Sequence, residues 1–216
     1  MDKQALMDGL VMYLCFIPIV TFHEFAHAWV AWKLGDDTAY RQGRVTLNPQ
    51  MHIDPIGTLL VPGIAVLLMA SGSVGGGLLI GWGCAVPVNL YNLKNRARDD
   101  TLISLAGPAM NLVLALVCLI LLRIFAAAGM APMAEAMWNV AFLSIFLCWF
   151  NMLPIPPLDG SHVAKYLVGM KEETYMKIAQ YGILILIVSL QIPAVQGFLR
   201  AMTGGTIDMM AAITGR

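Results

Sequence analysis

Leu10-Val11-Met12-Tyr13-Leu14-Cys15-Phe16-Ile17-Pro18-Ile19-Val20-Thr21-Phe22-His23-Glu24-Phe25-Ala26-His27-Ala28-Trp29-Val30-Ala31-Trp32 decides how this chain folds. A helix that crosses a bilayer needs about 20 mostly apolar residues, and this stretch supplies them. Near its C-terminal end it carries His23-Glu24-Phe25-Ala26-His27. Residues i and i+4 of a helix share a face, so both imidazoles can reach one metal ion. Glu24 stands beside them, where this motif places its general base. Ionisable groups are costly in a bilayer, so their presence there marks function by default.

Composition agrees with a membrane setting. The 216 residues are 59% hydrophobic and only 12% charged, with a mean hydropathy of +0.74. That is too apolar for a soluble domain. The formal net charge is zero, so no basic surface argues for nucleic acid. Cys15, Cys84, Cys118 and Cys148 are scattered through apolar segments without a CxxC pair. They read as packing residues rather than as a disulfide framework or a cysteine zinc site. The first apolar run is too long for a cleaved signal peptide, and it carries the motif.

Four segments read as spans: 9–32, 100–127, 134–156 and 175–199. Residues 56–70 are apolar but short, and 76–88 are apolar but broken by Gly81, Gly83 and Pro87. The second of these fits a short helix or a re-entrant, extended segment. The expected fold is an all-α polytopic membrane protein with about six transmembrane segments. Residues 1–216 are expected to form a single membrane-embedded domain.

A catalytic zinc usually has three protein ligands and one open position. His52 and His162 are candidates for the third ligand, but each stands alone in the sequence. Asp159 is better placed. It follows Asn151-Met152-Leu153-Pro154-Ile155-Pro156-Pro157-Leu158 and precedes Gly160. The prolines remove backbone donors and disfavour helix. At membrane depth such backbone survives only inside protein or beside a watery cavity. A plain helix stop with an Asp-Gly turn is the simpler alternative. The His pair and Asp159 both lie at the C-terminal ends of their helices. They can meet only if those helices run in the same direction, so residues 56–88 must return the chain to its starting side.

The same parity gives an orientation. It places Lys33, Arg41, Arg44, Lys94, Arg96, Arg98, Lys165, Lys171 and Lys177 on the site's side. Lys3, Arg123, Arg200 and Arg216 fall opposite, which accounts for all 13 Lys and Arg. The positive-inside rule then expects a cell-membrane protein whose active site opens toward the cytoplasm.

These motifs resemble the site-2 protease family of intramembrane zinc metalloproteases. HExxH matches His23, Glu24 and His27. NxxPxxxxDG matches Asn151, Pro154, Asp159 and Gly160. AGPxxN matches Ala106, Gly107, Pro108 and Asn111. Gly35-Asp36, residues 43–49 and residues 52–58 resemble the compact branch that lacks a PDZ domain. That branch often reads GWAKPVPVN where this chain has Gly81-Trp82-Gly83-Cys84-Ala85-Val86-Pro87-Val88-Asn89, so Cys84 replaces the usual Lys.

The resemblance implies one Zn²⁺ per chain held by His23, His27 and Asp159, with Glu24 as the catalytic base. It implies transmembrane protein substrates, cut in or near their spans during regulated intramembrane proteolysis. A family segment like 81–89 presents a substrate strand, and a glycine-containing edge suits strand addition. Asn111 and Asn151 carry amides that can bind freed substrate backbone or an oxyanion. Interhelical hydrogen bonding is the alternative for both. Gly107 reads as a site of close helix approach. Two other functions compete with the protease: an ion or proton transporter, and an inactive zinc-binding scaffold. A transporter would spread ionisable residues along several helices, and a scaffold would not need Glu24.

Overall fold

The computed structural model describes residues 2–72 and 81–214. Among these residues every regular element is a helix, and the fold is that of an all-α polytopic membrane protein. Helix α1 (Lys3–Lys33) starts at Asp2, whose side chain accepts from the Gln4 and Ala5 amides. Such a cap satisfies donors that the first turn leaves unpaired. Helices α4 (Arg96–Ala127) and α5 (Ala131–Asn151) are the other two long apolar helices. Asn95 caps α4 by accepting from Arg98 N at 3.1 Å, while Asp99 accepts from Asn95 N at 2.9 Å. Gly129, at φ 73°, turns α4 into α5.

One apolar cluster joins the three long helices: Phe16, Ile19 and Val20 from α1, Ala115 and Leu119 from α4, and Ala141 and Ile145 from α5. Leu14, Val113 and Ile124 point outward, each more than half exposed. In water such a surface would associate, whereas lipid tails cover it at no cost.

Between α1 and α4 the chain does several short things. Helix α2 (Thr38–Arg41) follows α1. A π-type segment, Pro55–Leu60, runs into α3 (Val61–Ala70). Asp54 caps that segment through the Ile56 and Gly57 amides, at 2.9 and 2.6 Å. Of the region expected to be re-entrant or extended, residues 76–80 lie outside the described residues. Residues 81–89 form neither helix nor strand and are stitched alongside the start of this unit. Trp82 N donates to Gly57 O at 3.0 Å and Cys84 N to His52 O at 2.8 Å. Thr58 Oγ1 donates to Trp82 O at 2.8 Å. Gly57 has no side chain because the Trp82 indole occupies that space.

After α5 come α6 (Asp159–Leu167), α7 (Glu172–Ala179), α8 (Gly182–Ser189) and α9 (Pro193–Ile213). Here the boundaries differ from expectation. The span expected over 175–199 is divided, and α8 and α9 meet at an 81° bend. Pro193 opens α9; it lacks a donor and disfavours helix at the residue before it. Helix α9 turns Leu199, Thr203, Thr206 and Met210 inward, and Trp149 Nε1 donates to Thr206 Oγ1 at 2.9 Å. Among the described residues three helices are long and apolar enough to cross a membrane, or four with the bent pair taken as one span. The shorter apolar helix Pro55–Ala70 and residues 81–89 occupy the region where the sequence reading puts the remaining crossings.

Candidate metal centre

His23 and His27 lie on one face of α1, both buried. Asp159 is the first residue of α6. The structure brings the three together. His23 Nε2 and His27 Nε2 are 3.0 Å apart. Asp159 Oδ2 is 3.2 Å from the first and 3.4 Å from the second. No other described residue joins this group. Three ligand atoms bound tetrahedrally at about 2.0–2.1 Å stand roughly 3.3–3.4 Å apart, so the triangle has the size of a zinc face.

Two further observations fit a cation. His27 Nδ1 lies 2.7 Å from Ile103 O. A carbonyl can only accept, so Nδ1 carries a proton, and in the neutral ring that leaves Nε2 bare and turned toward Asp159. Asp159 Oδ2, though buried, has no hydrogen-bonding geometry to any partner. Leaving a carboxylate oxygen so placed is costly unless a positive charge faces it.

The surrounding elements explain why these atoms converge. Gly107 of α4 packs directly on the His pair. A methyl group there would collide with His27 Nε2 and lie 2.6 Å from His23 Nε2. The close approach expected at Gly107 is therefore made to the imidazoles themselves. Asp159 is delivered by the irregular chain after α5. Ile155 N donates to Leu153 O and Leu158 N to Ile155 O, and Leu153 and Leu158 anchor this stretch in an apolar cluster with Leu199. Gly160 is pressed onto the Met152 backbone, where a side chain would collide.

Glu24 is half-buried, next to His23, and the strip formed by 81–89 crosses over it. A methyl group on Gly83 would come within 3.2 Å of Glu24 Oε1. Two anchors hold the strip. Arg44 Nη1 donates to Cys84 O at 3.2 Å, and Nη2 reaches Cys84 Sγ at 2.8 Å. Asp36, fully buried, accepts from Asn89 N at 2.7 Å, Asn92 Nδ2 at 2.8 Å and Thr38 N at 3.1 Å. Burial pushes the Asp36 carboxyl up, but these donors outweigh it and hold it below the usual carboxylate range.

The remaining expected residues fall as follows. Asn111 is one turn beyond Gly107 on α4, fully buried, and both its amide atoms lack a partner. Asn151 Nδ2 donates to Leu147 O in its own helix at 2.9 Å. His52 lies apart from the triangle, with Nε2 2.8 Å from Thr46 O. His162 is one turn past Asp159 and turns to Asp100 Oδ2 at 3.2 Å. The sequence reading notes Asp36 only within a family motif, without a role, and passes over Asp100. Acidic residues near helix ends ordinarily face water and the dipole, so only their burial marks them. Lys165 is also buried. Burial pulls its ammonium pKa down, but hydrogen bonding with Tyr166 and Glu172 and the Asp100 charge hold it above the ordinary value.

Comparison with known proteins places the chain. "Putative zinc metalloprotease YwhC" of Bacillus subtilis (strain 168) is 39% identical over 192 residues, 83% of this chain and 80% of that protein. The chain belongs to Peptidase family M50. The model of that M50 family matches residues 124–190. The Rip2 protein of Mycolicibacterium smegmatis, with the same descriptive name, is 36% identical over 191 residues. That match covers 86% of this M50 chain and 66% of the relative. MJ0611 of Methanocaldococcus jannaschii, also so described, is 31% identical over 148 residues, 67% of this chain and 64% of that one. No solved structure matches. The site-2 protease resemblance read from the motifs thus agrees with the family of the whole chain.

Proposed function

We propose that this chain is an intramembrane zinc endopeptidase that cuts membrane proteins in or near their transmembrane segments. One observation carries the reading: two imidazoles of the apolar helix α1 and the carboxylate that opens α6 converge at 3.0–3.4 Å, with Glu24 beside them. His23, His27 and Asp159 would hold one Zn²⁺. A zinc ion held there would supply Lewis acidity, which lowers the pKa of a bound water and polarises a scissile carbonyl. Glu24 accepts the proton of the attacking water and returns it to the leaving amine. Its carboxylate is half-buried, so solvent screens this transfer less than it would at an open surface.

A helical substrate hides its peptide bonds in its own hydrogen bonds and must unwind before attack. The strip at 81–89 lies over Glu24 and offers backbone groups for an unwound strand. Asn111 offers a buried amide with free donor and acceptor, suited to freed substrate backbone or an oxyanion. Asn151 serves the same end at the close of α5, where its Nδ2 is already bonded to Leu147 O. Residues 1–216 act as one multi-pass domain in the cell membrane, with the site open toward the cytoplasm.

The test uses protein purified in detergent, its zinc content, and a transmembrane peptide substrate. Glu24→Gln keeps zinc and loses cleavage by about 10²-fold or more. Asp159→Ala loses zinc. Normal cleavage by the Glu24 variant, or full zinc in the Asp159 variant, refutes the assignment.

A further inference from the structure

Asp159 stands on α6, a helix of only nine residues. A helix that short is marginal alone, so tertiary contacts set its pose. It does not continue a span but leaves from the irregular chain at 152–158. Its first turn is held by Gly160 against the Met152 backbone. Ser161 Oγ adds a bond to Leu158 O at 2.6 Å. A helix fixed only at its start can still swing and rotate about it.

The second hold comes from α4. Asp100, 3% exposed, gathers three α6 side chains on one oxygen. Tyr166 OH donates to Oδ2 at 2.9 Å, His162 Nδ1 lies at 3.2 Å and Lys165 Nζ at 3.3 Å. Lys165, itself 2% exposed, also reaches Glu172 Oε2 of α7 at 3.1 Å. Two turns along α4 from Asp100, about 10 Å, Gly107 abuts His23 and His27. One rigid helix therefore touches the His pair at one level and grips the helix of the third ligand at another.

We propose that Asp100 is the positioning residue for Asp159: by clamping α6 to α4 it sets the third ligand's place against His23 and His27. This rests on the metal-centre reading above. A buried ion pair is a poor device for stability alone, because apolar residues of similar volume often serve as well or better. What it supplies is a fixed geometry, and a metal site needs its ligand distances held to about 0.2 Å. No bond links Asp100 to the triangle, so its effect passes through α6.

The decisive variant is Asp100→Leu with Lys165→Met, which removes the clamp without stranding a buried charge. Zinc affinity is measured by chelator competition, and ligand geometry by the visible spectrum of the cobalt-substituted protein. Folding is followed separately by thermal melting. The expected result is a folded protein that binds zinc about 10–100-fold more weakly, with an altered cobalt spectrum. A folded double variant with unchanged affinity and spectrum overturns the proposal. If the double variant does not fold, Tyr166→Phe decides, since it removes one hydroxyl. A severalfold weaker affinity supports the clamp, and unchanged affinity and spectrum overturn it. Asp159→Ala is measured in parallel. Full zinc in that variant means the metal-centre reading fails. Loss of zinc there, with none in the Asp100 variants, means that only the positioning role fails.

Discussion

Replacing Gly107 with alanine adds one methyl group at the point where α4 meets the His pair. The magnitude follows from the contact. The new carbon would sit 2.6 Å from His23 Nε2, against an ordinary contact of about 3.5 Å. Either α4 retreats or the imidazoles turn, by a distance approaching ~1 Å. Ligand positions tolerate about 0.2 Å, and a misplacement of ~1 Å can cost about 10²-fold in rate. Stability moves differently. Alanine is favoured over glycine within a helix by up to about 1 kcal/mol, while overpacking costs about 1–3 kcal/mol, so the net loss of stability is about 0–2 kcal/mol. Gly107→Ala should therefore bind zinc at least about tenfold more weakly and cleave about 10²-fold more slowly, with melting lowered by no more than about 8 °C. Chelator competition, peptide cleavage and thermal melting on one preparation read all three. Gly197→Ala on α9, where a methyl group meets nothing within 4 Å, is the control and should leave zinc unchanged. Wild-type zinc affinity in Gly107→Ala would refute the packing argument.

Three other outcomes are expected. Asn111→Leu replaces an unpaired buried amide with an apolar group, so stability stays within about 1 kcal/mol or rises, while cleavage falls about 10²-fold; unchanged cleavage assigns Asn111 to packing. Asp36 has a lowered pKa, so the stability it contributes is present above the ordinary value of 3.8 and lost as pH falls through its own. Limited proteolysis at residues 89–92 should accelerate below about pH 4, and Asp36→Asn should show that acceleration already at pH 6. Ser71→Cys at the end of α3 and Lys94→Cys before α4 should label from opposite faces of the membrane, Lys94→Cys from the cytoplasmic one. Labelling from one face would refute the expected topology.

The parts of the site that depend on spacing were legible in the sequence. His23 and His27 meet because four residues make about one turn. Asp159 could be expected from three prolines and a glycine at membrane depth, and its convergence with the His pair is what the structure displays. Parts that depend on burial were not legible. Asp100 reads as one more acid at a helix start, and its enclosure by His162, Lys165 and Tyr166 comes from a helix more than fifty positions away. The last span was misdrawn for a related reason. Hydropathy sees the apolar run of α8 and discounts α9, whose Thr203 and Thr206 face inward rather than lipid. Asn111 and Asn151 both read as amides for substrate backbone or for helix packing. Burial and bonding separate them: Asn111 is fully buried without a partner, whereas Asn151 is half-buried and bonded to Leu147.

The crossing of residue 83 over Glu24 bears on how inhibitors should be shaped. The space beside that backbone is closed to even one methyl group, which would meet Val20 first and Glu24 next. A compound directed at the centre should therefore carry little bulk toward residue 83. Bulk placed there would have to displace backbone fastened by Arg44 and Asp36.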